Sequence, residues 1–496
     1  MATVTSAKVW KSGQAGQPAF PAEFDVVQRA VLQVTDIKSN HNKYYALELH
    51  AAAKAHAKGA PTYRLFTHYG RTDDLDTDPD SGQKECRYFE SLDAARCGYQ
   101  SIYSEKTSPR KGYREIALAS CRIGSEKARG SSSGEVDEKT LRKMAEAREV
   151  ASGGTEVERP ESLGLHPRVV DLVRYVFSEA TSALTTTIAA RITAQGIETP
   201  LGILTLGQVD KGEAILADIH KLIHAGAAKG SAAPARRAAL EELSGAFYTA
   251  IPHRIGRSRG AVASAVIDSI EAFGQKQETL QLMRDMLRVN AAAGSGGAVL
   301  YDAACDAQYV SLNCDVAWLD PAAPDYRQIE AYVARAAGGR RGGHVQVRNV
   351  YTLRRGAEHE AFAAGADNQQ LLFHGSRIQN WVGILSRGIL LPKVAVNLGV
   401  RRTDAGWLGN GIYFGDVAST SCAYTTPGRR GTRLMALARV ALGRVKEYRK
   451  ITYGLSAPPE GYDSCHGVRG SEFSDDEFVV YDTRRQRLEY LVEFEV

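Results

Sequence analysis

The chain has 496 residues, of which 44% are hydrophobic and 24% are charged. At roughly 100–200 residues per domain, this length predicts three or four domains, and the apolar fraction excludes a disordered or fibrous chain. Lysine and arginine total 62 against 57 for aspartate and glutamate, a formal net charge of +5. A histone-like basic polymer is therefore excluded, and any contact with nucleic acid must come from a local patch.

The cysteines and the N-terminal sequence indicate the cellular compartment in which the protein is expected. The seven cysteines are an odd number, and no two of them form a Cys-x-x-Cys pair. This predicts free thiols in a reducing compartment and excludes an ordinary zinc finger, so we expect no metal site. No N-terminal stretch reads as a signal peptide, and no run is apolar enough to span a bilayer. We expect a soluble intracellular protein without a membrane partner.

The first predicted domain covers residues 23–121, after a small, polar segment at 1–22 that we expect to be a mobile tail. The runs VVQRAVLQV, YYALELHA, TYRLFTHYG and CRYF carry β-branched or aromatic residues at two-residue spacing. They predict a small antiparallel sheet, accompanied by one helix over Ser91–Glu105. An acidic loop lies between the strands and contains Asp73, Asp74, Asp76, Asp78 and Asp80.

Two further domains follow a change in composition. Residues 122–160 are rich in Ser, Gly, Glu and Lys, which predicts a solvated linker with at most one short helix. Over 161–292, apolar residues recur at i, i+3, i+4 and i+7, which predicts an all-α domain without strands. Over 298–496, short apolar strands return among a few helices, which predicts an α+β domain.

The last domain contains the residues that could carry chemistry. The apolar strand LLFHG ends at His374 and Gly375, GIYFG places Tyr413 in a strand, and Glu477 begins the apolar strand EFVV. If Asp475 and Asp476 lie close to Glu477, they oppose its ionisation. Taken singly, such residues are more often structural, because they mark a site only where they converge.

Taken together, the motifs in these segments resemble those of the poly(ADP-ribose) polymerase family. The segments HGSRIQNWVGILSRGI, GNGIYFGD with the following STSCAY, and DDEFVVYD are similar to the catalytic domain of that family. Within the family, the vault-associated member is the one this domain resembles most. Upstream, PLGILTLGQVDKGEAILADI and FYTAIPH resemble the helical regulatory domain. NKYYALEL, FTHYGR and the segment from Tyr103 to Tyr113 resemble the WGR module, with Tyr69 in place of its tryptophan.

The resemblance implies an NAD+ ADP-ribosyltransferase, a glycosyltransferase for which NAD+ is a substrate and no metal is needed. It implies that His374, Tyr413 and Glu477 are the catalytic set. The NAD-binding residues implied are Gly375 and Ser421 on the carboxamide, Tyr413 and Tyr424 around the nicotinamide ring, and His374, Ser376 and Asn380 on the adenosine side. Glu477 holds the other ribose, where a carboxylate stabilises an oxocarbenium-like sugar.

The resemblance also implies regulation and partners. Polymer formation activated by DNA ends or nicks is expected, with acceptor proteins that include the chain itself. The candidate DNA contacts are Lys43, Arg71, Lys106, Arg110 and Lys111. The implied location is nuclear in a eukaryote, in keeping with a DNA damage response, or cytoplasmic and nucleoid in a bacterium. Scattered surface charge is the competing interpretation of the five basic residues, and the acidic loop favours it.

Three departures from long-chain polymerases leave alternatives open. Leu390 and Thr420 stand where such members carry Arg and Lys, and the insert at 391–407 lengthens a loop at the cleft. A mono-ADP-ribosyltransferase whose WGR module binds a protein partner is therefore one alternative. A non-catalytic interaction scaffold is the other, and the presence of Glu477 argues against it.

Overall fold

A computed structural model describes residues 7–52, 61–129, 134–135, 163–188, 191–193, 196–224, 232–253, 255–256, 258–292, 305–335, 345–362, 367–391 and 406–496. The chain divides into two compact units. The first is Met1–Pro160 with Thr186–Leu280, and the second is Glu161–Thr185 with Gln281–Val496. Parts of the predicted tail, linker, catalytic-domain start and insert lie outside the described residues, at 1–6, 136–160, 298–304 and 392–405.

The first unit begins with an antiparallel sheet in the order β1-β5-β4-β3-β2-β6, with β8 paired to β2. Its strands are β1 (Trp10–Lys11), β2 (Phe24–Asp36), β3 (His41–Ala52), β4 (Tyr63–Arg71), β5 (Gln83–Phe89), β6 (Arg114–Glu115) and β8 (Gly134–Glu135). Helix α1 (Leu92–Thr107) begins where the Ser91 hydroxyl accepts a hydrogen bond from the Ala94 N–H. The predicted sheet and helix are both confirmed.

Alternation along the strands explains the core of this sheet. Leu32, Leu47, Leu49 and Leu65 are fully buried, and they pack against Tyr99 on α1. Side chains of alternate residues project from one face of a strand, so the two-residue spacing places these leucines on the helix side. Burial of a leucine side chain stabilises the fold by roughly 2 kcal/mol.

Two segments predicted to be mobile or solvated are instead packed on this sheet. Trp10 and Lys11 pair with β5, so this part of the tail is a strand. Ser125, predicted to lie in the linker, is buried and donates from its N–H and its hydroxyl to the Glu48 carboxylate. Arg29 pairs with the same carboxylate at 3.6 Å. Partners this far apart in sequence leave no local pattern, which is why both expectations were wrong here.

The middle of the chain is helical, as predicted, with one exception. Its helices are α2 (Pro167–Ile188), α3 (Leu206–His224), α4 (Ala232–Ala250), α5 (Arg259–Ser264) and α6 (Ile270–Ala292). Three short strands, β9 (Arg191–Thr193), β10 (Gly196–Glu198) and β11 (Gly202–Leu204), join β7 (Leu118–Cys121) in a second sheet. The expectation of no strands is wrong for these segments, because three residues are too few to show a period.

The second unit contains a mixed sheet in the order β12-β13-β20-β16-β14-β15-β19-β18-β17. Its strands are β12 (Asp315–Trp318), β13 (Gln346–Arg354), β14 (Gln369–Gly375), β15 (Ile412–Gly415), β16 (Arg433–Ala441), β17 (Val445–Tyr448), β18 (Ser464–Gly467), β19 (Glu477–Val480) and β20 (Gln486–Glu495). Its helices are α7 (Cys305–Ser311), α8 (Pro324–Arg335), α9 (Gly356–Ala361), α10 (Trp381–Arg387) and α11 (Ala418–Cys422). The α+β prediction is confirmed.

The core of this sheet holds the strand that ends at His374. Phe373 is fully buried, and it shares a cluster with Met435, Leu437 and Phe494 on the neighbouring strands and Val333 on α8. The seven cysteines are free thiols, as predicted. Over the described ranges, no helix combines the length and apolar character needed to cross a membrane.

Candidate active site

Three neighbouring strands bring the predicted residues to one region of the second unit. Phe373 on β14 is directly opposite Gly415 on β15, and Gly415 is directly opposite Glu477 on β19. His374 and Gly375 follow Phe373 at the end of β14. Pairing between the strands therefore sets the histidine, the glycine and the carboxylate near one line across the sheet.

Gly375 lies against the helix that carries Ser421. A Cβ added at Gly375 would lie 2.0 Å from the Ser421 carbonyl oxygen, a distance that no side chain tolerates. Only glycine allows α11 to approach the end of β14 this closely. Ser421 is itself buried. The structure thus brings together the two residues expected to bind a carboxamide.

The two tyrosines differ in how they are held. The Tyr413 hydroxyl donates to the Gly409 carbonyl at 2.7 Å and accepts from the Leu408 N–H at 3.0 Å, which fixes its ring. Tyr424 follows α11 and is 47% exposed, so its ring is accessible from solvent. Burial of the Tyr424 hydroxyl and the nearby charges of Glu477 and Asp475 raise the pKa of Tyr424. Tyr424 therefore lies in the same region as Glu477.

His374 is anchored through one ring nitrogen. Its Nδ1 donates to the Tyr413 carbonyl at 3.0 Å, which leaves Nε2 for another partner. Burial lowers the pKa of His374, an effect that the hydrogen bond partly offsets, so the ring is neutral at pH 7. Nearby, the Asn380 amide donates to the Ser376 hydroxyl at 3.2 Å. The predicted adenosine-side residues are thus grouped.

Glu477 is a buried carboxyl group with a raised pKa. It is buried, and burial together with the charge of Asp475 raises the pKa of Glu477 to about 7. The expected effect of Asp475 is confirmed, whereas Asp476 is engaged elsewhere. Asp476 accepts hydrogen bonds from the His466 ring at 2.7 Å and from the Arg469 N–H at 3.0 Å. A pKa near the operating pH is typical of catalytic acids and bases.

Sequence reasoning assigned no role to Asp416, which directly follows β15. Burial and the charge of Asp476 raise the pKa of Asp416, and one of its carboxylate oxygens is buried with no hydrogen-bond partner among the residues that the structure describes. The residue ends the segment GIYFGD, but a single aspartate after a strand is too common a feature to single out. Asp416 lies near Asp476 because of the pairing between strands, and this proximity could not be predicted from the sequence.

A salt bridge holds the helix that follows the end of β14. Arg387 on α10 donates to the two carboxylate oxygens of Asp285 on α6, at 2.7 and 2.8 Å. Asp285 is buried. A Cβ at Gly383 would lie 2.1 Å from the Asp285 carboxylate, so glycine is required for this approach. The α6 helix is thereby fixed to the segment that continues from His374.

All five candidate DNA contacts lie near one end of the first sheet, where Lys43 on β3 is directly opposite Arg71 on β4. The Lys106 ammonium lies 4.7 Å from the centre of the Tyr45 ring, and Tyr45 is two residues along β3 from Lys43. Lys106 and Lys111 each lie 3.8 Å from the Glu105 carboxylate, and Arg110 is in the turn between them. These side chains are accessible around the C-terminal end of α1.

Arg71 behaves differently from the other four candidates. Its guanidinium donates to the Asp73 carboxylate at 3.0 Å and to the Asn40 carbonyl at 2.9 Å. The other oxygen of Asp73 accepts from the Ile255 N–H at 3.1 Å. Arg71 therefore serves an internal contact of the first unit. The aspartate that Arg71 holds belongs to the acidic loop, so that charge is neutralised within the fold.

Tyr69, which stands in place of the tryptophan in the WGR-like segment, is packed against a neighbouring strand. Its ring is stacked on Tyr45 with centroids 5.3 Å apart, and its hydroxyl donates to Glu85 at 2.8 Å. Elsewhere in the described chain, a cavity of about 620 Å³ lies at the β12 edge of the mixed sheet of the second unit. It is lined by residues such as Tyr309, Arg354 and Tyr490 and includes none of the predicted site residues.

Three family models match this chain. The model described as "Poly(ADP-ribose) polymerase catalytic domain" matches residues 323–472. "Poly(ADP-ribose) polymerase, regulatory domain" matches residues 164–309, and "WGR domain" matches residues 28–119. The order of the three matches is the order that the sequence motifs predict.

Curated relatives agree with these matches. Protein mono-ADP-ribosyltransferase PARP4 of Mus musculus is 33% identical over 339 residues, which cover 66% of this chain and 16% of that protein. Protein mono-ADP-ribosyltransferase PARP3 of Mus musculus is 25% identical over 507 residues, covering 93% of this chain and 87% of that protein. Poly(ADP-ribose) polymerase 2-A of Oryza sativa subsp. japonica is 25% identical over 467 residues, with 92% and 64% covered. The chain thus spans less than a fifth of PARP4.

Proposed function

Because the chain belongs to the poly(ADP-ribose) polymerase family, we propose that it transfers ADP-ribose from NAD+ to protein acceptors. The observation that carries this proposal is the convergence of His374, Gly375, Tyr413 and Glu477 on adjoining strands with Ser421 on α11. The close approach of Gly375 to α11 and the exposed face of Tyr424 fit a flat amide-bearing ring. NAD+ is consumed as a substrate in this reaction.

Glu477 supplies the electrostatic part of the mechanism. Cleavage of the bond between nicotinamide and ribose leaves positive charge on the sugar, while nicotinamide departs with the bonding electron pair. An ionised Glu477 beside that sugar stabilises the charge as it develops. The acceptor oxygen then bonds to the sugar carbon, and its proton passes to the carboxylate or to water. Because the pKa of Glu477 is about 7, transfer should rise with pH through neutrality.

Release of nicotinamide tests this step. The chain is incubated with NAD+ labelled in its adenosine half, and nicotinamide and protein-bound label are measured for the wild type, His374→Ala and Tyr413→Ala. The transferase is supported if the wild type forms the two products in equal amounts and both variants, while still folded, form neither. Wild-type chain that binds its partners but never consumes NAD+ would favour the interaction scaffold.

Polymer formation is the finer part of the proposal. A carboxylate at Glu477 can take the proton of an acceptor hydroxyl, as chain growth requires, and the relative named poly(ADP-ribose) polymerase 2-A matches over 92% of this chain, although the mono-ADP-ribosyltransferase PARP3 matches over 93%. Mono-ADP-ribosyl transfer is the second candidate, and Asp475 favours it. Its negative charge beside Glu477 opposes the approach of an ADP-ribose acceptor, whose pyrophosphate is anionic.

The Glu477→Gln variant separates these two outcomes. On gels that resolve chain length, a polymerase loses long products in this variant but keeps some cleavage of NAD+. Asp475→Asn is the matched partner, since it removes the neighbouring charge and keeps the catalytic group. Longer products from Asp475→Asn than from the wild type support the repulsion, and single-unit products from every form support mono-transfer.

Activation by DNA breaks is proposed for the WGR module. What supports it is the group of Lys43, Lys106, Arg110 and Lys111 around the end of α1, whereas Arg71 is engaged with Asp73. A few phosphate contacts suit a chain of net charge +5. With DNA as the partner, we propose that the protein is located in the nucleus of a eukaryote, or in the nucleoid and cytoplasm of a bacterium.

NAD+ turnover with and without nicked DNA, across a salt series, tests this activation. Lys43→Ala and Lys111→Ala should each remove one bond to a DNA phosphate and thereby reduce the salt slope by about 1. Lys221→Ala is the control, since Lys221 is an exposed lysine on α3 paired with Asp218. Turnover that is indifferent to DNA would favour a protein partner for the WGR module and leave the transferase intact.

A further inference from the structure

One face of helix α2 contacts the loop that follows Tyr424. This loop covers residues 425–432, between Tyr424 and β16, and the second unit contains both the loop and α2 up to Thr185. The α2 residues that contact the loop recur every three or four positions, so they lie on one side of the helix. They are Asp171, Tyr175, Glu179 and Ser182. The contact joins the match to the regulatory domain with the match to the catalytic domain.

Tyr175 is at the centre of this contact. Its ring is buried, and its hydroxyl donates to the Thr432 carbonyl at 3.2 Å. The Gly428 N–H donates to the same carbonyl at 2.9 Å, which closes the loop into a turn. A Cβ at Gly428 would overlap the Tyr175 hydroxyl, so only glycine allows the turn to lie this close to the ring. The Tyr175 side chain therefore sets where the tip of the loop lies.

Two successive arginines of the loop bind α2 on either side of Tyr175 along the helix. The Arg429 backbone N–H donates to the buried Glu179 carboxylate at 2.8 Å. The Arg430 guanidinium donates to both carboxylate oxygens of Asp171, at 2.5 and 2.8 Å, and its carbon lies 4.4 Å from the centre of the Tyr175 ring. Because the Asp171 pair is partly exposed, salt weakens it. We therefore expect the buried bonds of Tyr175 and Glu179 to carry most of the contact.

The start of the same loop contacts two segments of the candidate site. Thr425 directly follows Tyr424 and is buried. The Thr426 hydroxyl accepts from the Ile378 N–H at 3.3 Å, two residues beyond Ser376. The Tyr424 side chain is half-exposed, so the position of its ring depends on the loop behind it. The contact with α2 is thereby linked to the segments that carry Tyr424 and Ser376.

We propose that Tyr175 and Glu179 are positioning residues for NAD+ binding, because they hold the 425–432 loop where Tyr424 can stack on the nicotinamide ring. This inference rests on the proposed function, in which Tyr424 contacts that ring. A displacement of about 1 Å is enough to weaken the effect of a positioned group. Helix α2 thus supports the substrate site, and loosening its contact with the loop should weaken NAD+ binding.

Kinetics of three variants of the full chain test this role. Tyr175→Phe keeps the ring and loses the hydrogen bond to Thr432. Glu179→Ala removes the acceptor of the Arg429 N–H, whereas Glu179→Gln keeps an acceptor oxygen there. We expect KM for NAD+ to rise about 3- to 10-fold in Tyr175→Phe and Glu179→Ala, with kcat within about 2-fold of the wild type. Glu179→Gln should stay within about 2-fold of the wild type in both constants.

Tyr309→Phe is the matched control. The Tyr309 hydroxyl accepts from the Val316 N–H at 3.0 Å in the same unit, away from the predicted site residues. This variant also loses one hydrogen bond of a tyrosine, but it should leave KM unchanged. Inhibition by nicotinamide gives a second readout, because nicotinamide carries the ring without the rest of NAD+. Its inhibition constant should rise in Tyr175→Phe by about the same factor as KM.

Removal of the Tyr424 ring separates positioning from a general loss of structure. In a Tyr424→Ala background, Tyr175→Phe should change kcat/KM by less than about 2-fold, because the ring that the loop positions is gone. An equal effect with and without Tyr424 would overturn the proposal, as would an unchanged KM in Tyr175→Phe and Glu179→Ala. Faster turnover in these variants would also overturn it, since α2 would then restrain the transferase. If Tyr175→Phe does not fold, Glu179→Ala enters the same comparison.

The outcome also distinguishes this inference from the proposed function. A wild-type chain that does not consume NAD+ contradicts the transferase itself. A wild-type chain that consumes NAD+ while Tyr175→Phe and Glu179→Ala keep its KM contradicts the positioning role of α2 alone.

Discussion

Replacement of Glu477 by glutamine should change how stability depends on pH. The ordinary pKa of a glutamate, 4.5, and the raised pKa of Glu477, about 7, differ by 2.5 (7 − 4.5). At about 1.4 kcal/mol for each pKa unit, ionisation of Glu477 costs the folded chain at most about 3.5 kcal/mol. The charge of Asp475 supplies part of this cost, and salt weakens that part.

The sign follows from where the proton is held. The folded chain keeps the Glu477 proton to a higher pH than the unfolded chain does, so its contribution to stability is complete below pH 4.5. That contribution disappears as pH rises through about 7. Glutamine does not titrate, so Glu477→Gln should lose less stability than the wild type between pH 5 and pH 8.

Urea unfolding followed by tryptophan fluorescence measures this difference. Trp318, Trp381 and Trp407 all lie in the second unit, so the signal reports mainly on the unit that contains Glu477. Free energies of unfolding are compared at pH 5, 6, 7 and 8, with Glu447→Gln on the exposed side of β17 as the control. A Glu477→Gln curve parallel to that of the wild type would refute the assignment of a buried, titrating carboxylate.

Two further predictions concern the site and its surroundings, and a third concerns the first unit. Arg387→Ala should destabilise the second unit by about 3 kcal/mol in denaturant, because it leaves the buried Asp285 carboxylate unpaired; an unchanged midpoint would contradict this. Ser421→Ala should raise KM for NAD+ about 5- to 10-fold with little change in kcat, and an unaltered KM would remove Ser421 from the carboxamide contact. Asp73→Ala should speed hydrogen exchange at the Ile255 N–H at least about 10-fold, and retained protection would show that another acceptor holds it.

The strands of the site could be predicted because their signals are local. Apolar runs place His374 at the end of one strand, Tyr413 within another and Glu477 at the start of a third, and the structure has each of them there. That Ser421 follows on a turn or helix could also be predicted, and the structure places it on a short helix. Their convergence was not, because it depends on the order β14-β15-β19, and no local period encodes which strands pair.

The contacts that sequence reasoning missed connect residues far apart in the chain. Ser125 binds Glu48 across 77 residues, and Arg387 binds Asp285 across 102. The same limit applies to predictions of function, as Arg71 shows. A basic residue in a motif is a candidate DNA contact, but the sequence does not show that Arg71 is hydrogen-bonded to Asp73. The sequence gives the chemical type of each side chain, whereas the fold determines whether that side chain is available to bind a partner.

The most direct measurement of the central claim is the fate of both halves of NAD+ on the purified chain. With NAD+ labelled in its adenosine half, and with nicked DNA and acceptor protein present, the wild type should form nicotinamide and protein-bound label in equal amounts. The yield should rise with pH through about 7, following the ionisation of Glu477. A folded chain that leaves NAD+ intact under these conditions, or that releases nicotinamide without ever labelling protein, would contradict the transferase.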